Sequence, residues 1–363
     1  MRTTLLALFL VGCGGGAPFT AVTYNAGLAE GFVLGASERA DVTAAATVGL
    51  DADVICVQEV WLPEHIAAFE AAAATNYPHT VFMADAPDVG TEAACRNDDL
   101  DPLFDCYAEN CADGCIDEVA DCLLQNCGLN FLQLGQQCIG CLEANVGNAP
   151  TAREVCETED TKYAYGGAFG IGILSAHPIT SSETITLDST TNRRGTIHAV
   201  LDVDGEAVDV FCTHLTSDLA PLPYTGPEDG WVPEQLAQIN TINEWVEARA
   251  TAEMSIWMGD FNTGPDGTDY NAELIENYTA LSGLGWDNPY ADADIDCTYC
   301  LDNGLINGSG TGSAIDHVFV KAAEGTTYIA TRVLDQDIDV PACGETISAP
   351  PSDHYGVQII IER

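Results

Sequence analysis

The sequence predicts a mixed α/β domain built on two packed β-sheets. Its 363 residues are 47% hydrophobic and only 18% charged, which excludes a disordered chain or a coiled coil. Short apolar runs rich in β-branched and aromatic residues alternate with longer segments whose apolar residues recur at helical spacing. At least two of the short runs are joined by a tight turn, which argues against a purely parallel sheet.

These patterns predict eight strands and three helices. The strands are Thr20–Tyr24, Val54–Val57, Gly170–Leu174, Ile197–Val203, Ala207–Thr213, Met254–Met258, Ala314–Val320 and Val357–Ile361. The helices are Ala36–Gly49, Pro63–Ala74 and Pro233–Ala250. Asp204 and Gly205 separate the fourth and fifth strands, and this pair of residues is typical of a β-hairpin turn.

The charge of the chain limits its partners. Eleven Lys and Arg residues against 56 Asp and Glu residues give a formal net charge of −45 at pH 7. Because no general basic surface can neutralise a phosphate backbone, we expect no stable nucleic-acid partner. A nuclease remains compatible with this charge, since a bound divalent cation would supply positive charge locally.

The first thirteen residues predict an export signal. A single basic residue, Arg2, precedes a short apolar stretch, small residues and Cys13, and the stretch is too short to span a bilayer. Residues 10–13, Leu-Val-Gly-Cys, resemble a bacterial lipobox. We therefore predict a signal peptide over 1–12, a short tether over 13–19 and attachment to the bacterial cell envelope through lipidated Cys13. The alternative is an ordinary signal peptide and free secretion.

Fifteen cysteines in an exported chain indicate disulfide bonds, because the compartment is oxidising. Nine of them lie in 95–156, predicted to be a small disulfide-rich helical insertion in a domain over 20–363. The cysteine spacings in 106–127 predict two short helices stapled together. Nine is odd, so at least one is free or bridges to the main domain. Zinc binding by the Cys-x-x-Cys pairs is the alternative, and Cys56 and Cys212 are predicted to be buried free thiols.

Polar side chains stand at the ends of the predicted strands. A single Asp or Asn at such a position is usually a turn residue. Here acids, amides and imidazoles recur at six strand ends, which turns alone do not explain, so we predict one shared catalytic rim. These residues are Asn25, Glu59, His214, Asp260, Asn262, Asp316, Asp353 and His354.

Seven segments in order resemble motifs of the endonuclease/exonuclease/phosphatase superfamily. They are Thr23–Gly27, Val57–Trp61, Gly172–Ile179, Cys212–Leu215, Met258–Asn262, Ile315–Phe319 and Ser352–His354. The Gly-Asp-Phe-Asn and Ser-Asp-His elements, following Gln-Glu, are the most specific. The resemblance implies a four-layer α/β sandwich with two packed mixed β-sheets and helices outside. It also implies a magnesium-dependent phosphoesterase.

The resemblance implies roles for the metal and proton-transfer groups. Glu59 would be the main Mg²⁺ ligand with Asn25 beside it, and Asp353 would approach a second metal position. Mn²⁺ and Ca²⁺ are alternatives. Asp316 would accept a hydrogen bond from His354 and so fix its tautomer.

The remaining residues would act on the attacking water and the phosphate. Asp260 and Asn262 would align the water, and His214 would donate to a non-bridging oxygen. Whether Asp260 or His354 takes the proton stays open. Arg194, in the only Arg-Arg pair of the chain, would face the substrate phosphate, the alternative being a surface turn. His317 is expected to be a packing residue.

Resemblance to particular members of the superfamily limits the expected class of substrate. The segments 58–61, 167–178 and 296–303 resemble neutral sphingomyelinases more than nucleases, and a short tether would hold the site near lipid headgroups. We therefore expect a phosphodiester substrate, with membrane phospholipid favoured. The alternatives are a DNase-like extracellular endonuclease and a catalytically inert surface binding protein that uses the insertion. The oligomeric state is left open.

Overall fold

Two β-sheets lie face to face in the computed structural model, which describes residues 17–220, 222–306, 308 and 310–362. The first sheet has the strand order β12-β15-β1-β2-β6-β3, and the second has the order β11-β10-β9-β8-β7. The strands of the first sheet are β1 (Phe19–Asn25), β2 (Val54–Gln58), β3 (His79–Phe82), β6 (Gly172–Ser175), β12 (Thr327–Val333) and β15 (Gly356–Glu362). Those of the second are β7 (Ile179–Leu187), β8 (Arg194–Val203), β9 (Glu206–His214), β10 (Met254–Asp260) and β11 (Asp316–Lys321).

Both sheets are mixed, as predicted. β1 runs parallel to β2 and β9 runs parallel to β10, whereas the other neighbours in the two sheets are antiparallel. Two further strand pairs lie outside the sheets: β4 (Val89–Gly90) with β5 (Asp160–Thr161), and β13 (Ile338–Ala342) with β14 (Glu345–Ala349).

Helices cover the outer face of each sheet, which gives the predicted four layers. The helices α1 (Ala36–Val48) and α2 (Pro63–Ala73) pack on the first sheet, and α7 (Trp231–Glu247) and α8 (Ile275–Ser282) pack on the second. A short helix, α9 (Pro289–Asp292), contacts the edge of the sandwich.

Alternation along β2 shows how the layers form. Val54 and Cys56 face the core between the sheets, while Ile55 and Val57 face the helices α1 and α2. Because successive side chains of a strand point to opposite faces, a strand buried on both sides is apolar throughout. This explains the continuous apolar runs in the sequence.

The insertion over 95–156 forms a separate helical cluster. It contains α3 (Asn97–Asn110), α4 (Val119–Phe131), α5 (Gln136–Ala144) and α6 (Ala149–Cys156). The disulfides Cys106–Cys127 and Cys111–Cys122 join α3 to α4, which confirms the predicted stapled pair of helices. Two further disulfides within the insertion are Cys95–Cys138 and Cys141–Cys156.

The ninth cysteine of the insertion, Cys115, bridges to Cys343 at the β13–β14 turn. This is one of the two outcomes that the odd count predicted. The prediction for Cys56 and Cys212 was wrong, because these residues form a disulfide between β2 and β9. They face each other across the core between the sheets, a pairing that their positions in separate apolar runs do not reveal. Cys297 and Cys300 are also bonded to each other, which removes the zinc alternative there.

The strands missed by the sequence prediction share one property. In the two sheets these are β3, β7 and β12, and all three lie at sheet edges. An edge strand is half exposed, as the burial of β7 and β12 shows, so it lacks a strong apolar run.

The predicted signal peptide, Cys13 and most of the tether fall outside the described residues. Within the part of the chain that the structure describes, none of the helices has the length and apolar character needed to cross a membrane.

Candidate active site

The predicted catalytic residues meet at one edge of the sandwich. Asn25 ends β1 and Glu59 follows β2, while His214 ends β9 and Asp260 ends β10. Register places Asp260 beside His214 on one side and beside Asp316 on the other. Because β1 and β2 are parallel, as are β9 and β10, each pair brings its carboxyl ends to the same edge.

Two of these residues have left-handed backbone conformations. The φ angles of Glu59 and Asn262 are 57° and 50°. Such conformations are uncommon for residues other than glycine and concentrate at functional sites. Glu59 directly follows β2, and Asn262 lies two residues after the end of β10; both residues line the cleft beyond the strand ends.

His354 and Asp316 form a buried hydrogen-bonded pair. His354 Nδ1 lies 2.9 Å from Asp316 Oδ2, and both residues are almost inaccessible to solvent. Burial alone would lower the pKa of His354, but the nearby Asp316, Asp353 and Asp260 carboxylates hold it well above its ordinary value. With Nδ1 engaged, Nε2 is the ring nitrogen left to face the cleft, 4.0 Å from Asp260 Oδ2.

Asp260 lies at the centre of a second network. Its Oδ2 accepts a hydrogen bond from Asn25 Nδ2 at 2.9 Å, and its Oδ1 accepts one from the Asn262 backbone N–H at 2.8 Å. Burial, followed by the Asp316 charge, raises the pKa of Asp260 to about 7. The Asn262 side-chain amide donates to the Leu215 carbonyl oxygen. The backbone N–H of Asn262 therefore positions the Asp260 carboxylate, and the side chain of Asn262 fixes Asn262 itself to the segment after β9.

Arg194 is a buried cation with an unused donor. The residue is 3% exposed, and Nη1 has no hydrogen-bond partner among the described residues. Its guanidinium lies 5.8 Å from the centre of the Trp61 ring. A buried donor without a partner is rare in proteins, and a guanidinium is suited to phosphate oxygens. The structure thus places Arg194 in the site and not in a surface turn.

His214 is a neutral imidazole. Burial, together with the positive charges of Arg194 and His354, lowers its pKa well below the ordinary value. Its Nδ1 is buried and has no partner among the described residues, while Nε2 lies 3.4 Å from Asp260 Oδ2. A neutral imidazole can still donate one hydrogen bond to a bound oxygen.

Seven of the nine predicted site residues line one cleft of about 410 Å³, and they include Glu59, Arg194 and Asp353. The other two, Asn25 and Asp316, lie behind it and contact its lining through Asp260 and His354. The predicted packing residue His317 is outside the cleft. It is fully buried, and its Nε2 lies 2.9 Å from the Thr263 carbonyl oxygen, which confirms the packing role.

The oxygen donors at the cleft fit a hard divalent cation. Burial raises the pKa of Glu59, and the adjacent Asp353 carboxylate raises it further. Mg²⁺ binds to carboxylate and amide oxygens, and Asn25 lies close enough to Glu59 to influence its pKa. Asp260, Asp316 and His354 also offer ligand atoms within 4.8 Å of one another. In that group, however, the His354 Nδ1 is already bonded to Asp316.

Several aromatic residues that line the cleft were not predicted from the sequence. Trp61 stacks on Tyr165 with ring centres 5.0 Å apart, and Tyr299 contacts the His354 ring at the same distance. Trp61 is the last residue of the segment 58–61, and Tyr299 lies between Cys297 and Cys300, so both stand in segments that the sequence already marks as distinctive. Tyr165 has no comparable local signal.

The chain belongs to the endonuclease/exonuclease/phosphatase family, whose model matches residues 22–354. Members of this family are phosphoesterases and nucleases, which indicates a hydrolase. The comparison with curated protein sequences gave no match.

Solved structures share the fold at low sequence identity. Sphingomyelinase C from Streptomyces griseocarneus is 16% identical with a TM-score of 0.56, and the match covers 95% of this chain and 99% of that one. A beta toxin mutant from Staphylococcus aureus, solved with bound magnesium ions, is 13% identical with a TM-score of 0.57 and the same coverage. A mannosyl-6-phosphatase from Bacteroides thetaiotaomicron is 13% identical with a TM-score of 0.51, covering 94% of this chain and 99% of that one.

Proposed function

We propose that this protein is a divalent-cation-dependent phosphodiesterase that hydrolyses a lipid phosphodiester by in-line attack of water. The observation that carries the proposal is the buried Arg194 guanidinium, whose unused Nη1 lines the same cleft as His354 and Glu59. The cleft suits a phosphate ester, because it brings together a buried cation, an imidazole bonded to a carboxylate and a pair of acids.

Glu59, Asn25 and Asp353 are the residues that would hold Mg²⁺. When bound, the ion would polarise the phosphoryl group and stabilise the leaving oxygen. Asn25 has the geometry for a shared role, since its Nδ2 supports Asp260 while its Oδ1 accepts the Gly27 backbone N–H at 2.9 Å and keeps a second lone pair. Mn²⁺ and Ca²⁺ are the alternative ions.

Asp316 orients the imidazole that faces the phosphate. Its hydrogen bond to Nδ1 fixes the orientation of the His354 ring, and its charge favours the protonated imidazolium, so an N–H at Nε2 faces Asp260 and the cleft. Asp260 and His354 then form the proton-transfer pair for the attacking water. Asn262 keeps Asp260 in place through its backbone N–H.

Arg194 and His214 act on the charge that develops on the phosphate. The Arg194 guanidinium stays positive in the buried cleft and binds a non-bridging oxygen. His214 donates a hydrogen bond to another such oxygen as charge builds in the transition state. The Trp61 ring lies beside this guanidinium, and both residues line the cleft.

Two properties favour a lipid substrate over DNA or inositol phosphates. The cleft combines its charged floor with apolar walls that include Ala29, Phe32 and Val33. The chain carries a net charge of −45, which repels polyanions but not a zwitterionic phospholipid. A DNase-like nuclease and an inert binding protein are the outcomes that the assay below would reveal.

The substrate class is tested by parallel assays of the purified protein with Mg²⁺. The substrates are sphingomyelin, glycerophospholipids, double-stranded DNA and inositol phosphates. We expect the highest kcat/KM on a choline phospholipid. Dominant cleavage of DNA would reassign the protein as a nuclease, and binding without turnover on any substrate would support the inert alternative.

We also propose that Cys13 carries a lipid anchor in the cell envelope. The seven disulfides of the described residues agree with an oxidising compartment outside the cytosol. The variant Cys13→Ser should move the protein from the membrane fraction to the soluble fraction, while its specific activity on a soluble phosphodiester stays unchanged. Fractionation with immunoblotting measures this. Unaltered membrane association would contradict the anchor.

A further inference from the structure

The insertion contains a narrow apolar groove that the catalytic chemistry does not use. The groove lies among α3, α4, α5 and α6, and its walls are almost entirely apolar. They include Leu103, Phe104, Leu123, Phe131 and Val146. Leu103 and Leu142 also belong to the buried core of the insertion, so the groove opens directly beside that core.

This groove adjoins the catalytic cleft. Phe32, which is 38% exposed, lines both of them. The loop after β9 also reaches both, since Leu219 lines the cleft and Leu222 lines the groove. The cleft and the groove therefore share a wall at Phe32.

The insertion holds the shared wall in place. Asp117 accepts a hydrogen bond from the Gly35 backbone N–H at 3.0 Å, and the Ala120 N–H donates to the Gly31 carbonyl oxygen at 3.2 Å. Gly31 also packs so closely on Gly147 that a Cβ there would lie 3.0 Å from its nitrogen. The segment 29–33 is thus fixed between the cleft and the groove.

Glu143 and Asn145 interrupt the apolar lining of the groove, and the Asn145 side-chain amide already donates to the Cys141 carbonyl oxygen at 2.8 Å. Glu143 is 4% exposed, and its Oε1 has no hydrogen-bond partner among the described residues. Its Oε2 lies 3.3 Å from the hydroxyl of Thr191, which is next to Asn192 in the catalytic cleft. A buried polar atom without a partner suits a ligand that brings its own polar group. Through Thr191, Glu143 connects the groove lining to a residue next to the catalytic cleft.

We propose that the groove of the insertion binds the hydrocarbon chain of the lipid whose phosphodiester is cleaved. This proposal rests on the proposed function. The polar junction between chain and headgroup would lie at Glu143, and the phosphate would lie at Arg194. The chain would follow the apolar walls, because removing methylene groups from water favours binding in proportion to the area buried.

The outer rim of the groove fits a membrane surface. Leu129 and Leu132 are 77% and 60% exposed, and they flank the groove-lining residue Phe131 at the end of α4. The acidic chain repels anionic lipids, so the occupant is a zwitterionic phospholipid taken from a neutral bilayer. The insertion is then the part of the enzyme that extracts and selects its substrate.

Gly128 offers a direct test because it lines the groove and a Cβ added there meets nothing within 4 Å. Gly128→Trp should fill the groove without disturbing the helices. Gly135→Trp is the matched control, since it lies in the same insertion with equally free space but outside the groove lining. Gly128→Ala is the small-residue control at the same position.

Each variant is assayed on equimolar vesicles of sphingomyelin and phosphatidylcholine and on bis-p-nitrophenyl phosphate, which has no alkyl chain. For Gly128→Trp we expect the ratio of vesicle to soluble turnover to fall about tenfold or more, with Gly135→Trp and Gly128→Ala near the wild-type ratio. An unchanged ratio for Gly128→Trp, or an equal fall for Gly135→Trp, would overturn the proposal.

A binding measurement separates this proposal from the proposed function. The wild-type protein and Gly128→Trp are titrated with a choline phospholipid that carries pyrene on its hydrocarbon chain, in the absence of metal. Binding by the wild-type protein that Gly128→Trp weakens supports the groove, even if none of the phosphodiesters tested is hydrolysed. Hydrolysis of the vesicles without any difference in pyrene binding supports the catalytic function and rejects the groove.

Discussion

The sandwich and the insertion differ in how much their buried cores consist of cysteine. Of the 28 buried residues in the main core of the sandwich, four are cysteines, whereas five of the nine buried residues in the core of the insertion are cysteines. The sandwich is large enough to gain its stability from apolar burial across three interfaces, two of them against helices. The insertion spans about 60 residues and relies on disulfides, as small exported units generally do.

This difference matches the different functions that we propose for the two regions. The sandwich presents polar groups at rigid strand ends, where Asp260, His214 and Asp316 are held by neighbouring strands in register. The insertion has an open apolar groove and a strong dependence on covalent cross-links. Catalysis needs side chains that are held rigidly at strand ends, whereas binding of a lipid chain is compatible with an open, cross-linked cluster of helices.

The largest effect is expected from the catalytic side of the comparison. His354→Ala should lower kcat on a soluble phosphodiester by about 10²–10⁴-fold, as is typical for loss of a general acid–base group. The KM should change much less, because the imidazole acts chiefly in the transition state. Steady-state kinetics with saturating Mg²⁺ measures both constants.

Asp316→Asn is the companion variant. It should reduce kcat in the same direction but less strongly, since the imidazole remains while its tautomer is no longer fixed by a carboxylate. Near-normal kcat in His354→Ala would remove the basis for assigning catalysis to the sandwich edge.

A smaller effect is expected when the insertion loses one cross-link. Replacing both Cys106 and Cys127 by Ala opens a disulfide that spans 21 residues and should destabilise the insertion by about 3 kcal/mol. The sandwich has its own core, so its unfolding should shift little. Calorimetry together with mass-mapped limited proteolysis distinguishes the two regions.

The contrary result is a single transition in which sandwich and insertion shift together. That outcome would show that the link from Cys115 to Cys343 and the contacts with residues 31–35 make the two regions one cooperative unit.

The smallest effect, taken per pH unit, concerns the buried Glu143. Burial raises its pKa to about 8, and the Thr191 hydroxyl opposes this only in part. The folded protein therefore keeps a proton that the unfolded chain loses above the ordinary pKa of a glutamate. Folding then binds protons, so the stabilisation is complete at low pH and is lost as pH rises through about 8.

Glu143→Gln should remove this dependence, because the amide does not titrate. Between about pH 5 and 8, the free energy of unfolding of the wild-type protein should fall relative to the variant by at most about 1.4 kcal/mol per pH unit. Denaturant unfolding at several pH values measures the difference. Parallel curves would mean that Glu143 ionises normally in the folded state.

The sequence predicted the inner strands and most of the site because both leave local signals. An inner strand such as β2 is apolar on both faces, and Glu59 and Asp260 each stand directly at such a strand's end. These features are visible within about ten residues, so they can be read without knowledge of the tertiary structure.

The remaining features depend on residues far apart in the chain. The Cys56–Cys212 disulfide joins positions 156 residues apart, and each cysteine alone resembles an ordinary apolar core residue. The contact of the insertion with segment 29–33, and hence the continuity of groove and cleft at Phe32, arises only when these parts pack together. Local periodicity carries no information about such pairings.

The central claim is that the edge of the sandwich performs cation-dependent phosphodiester hydrolysis through Glu59. It is tested most directly by titrating Mg²⁺ into chelator-treated wild-type protein and Glu59→Gln, with bis-p-nitrophenyl phosphate as substrate. We predict that neither protein hydrolyses the substrate without metal and that Mg²⁺ restores activity. The Mg²⁺ concentration that gives half-maximal activity should be at least about tenfold higher for Glu59→Gln, because a neutral amide oxygen binds the ion more weakly. Full activity after chelation, or identical titration curves for both proteins, would contradict the account.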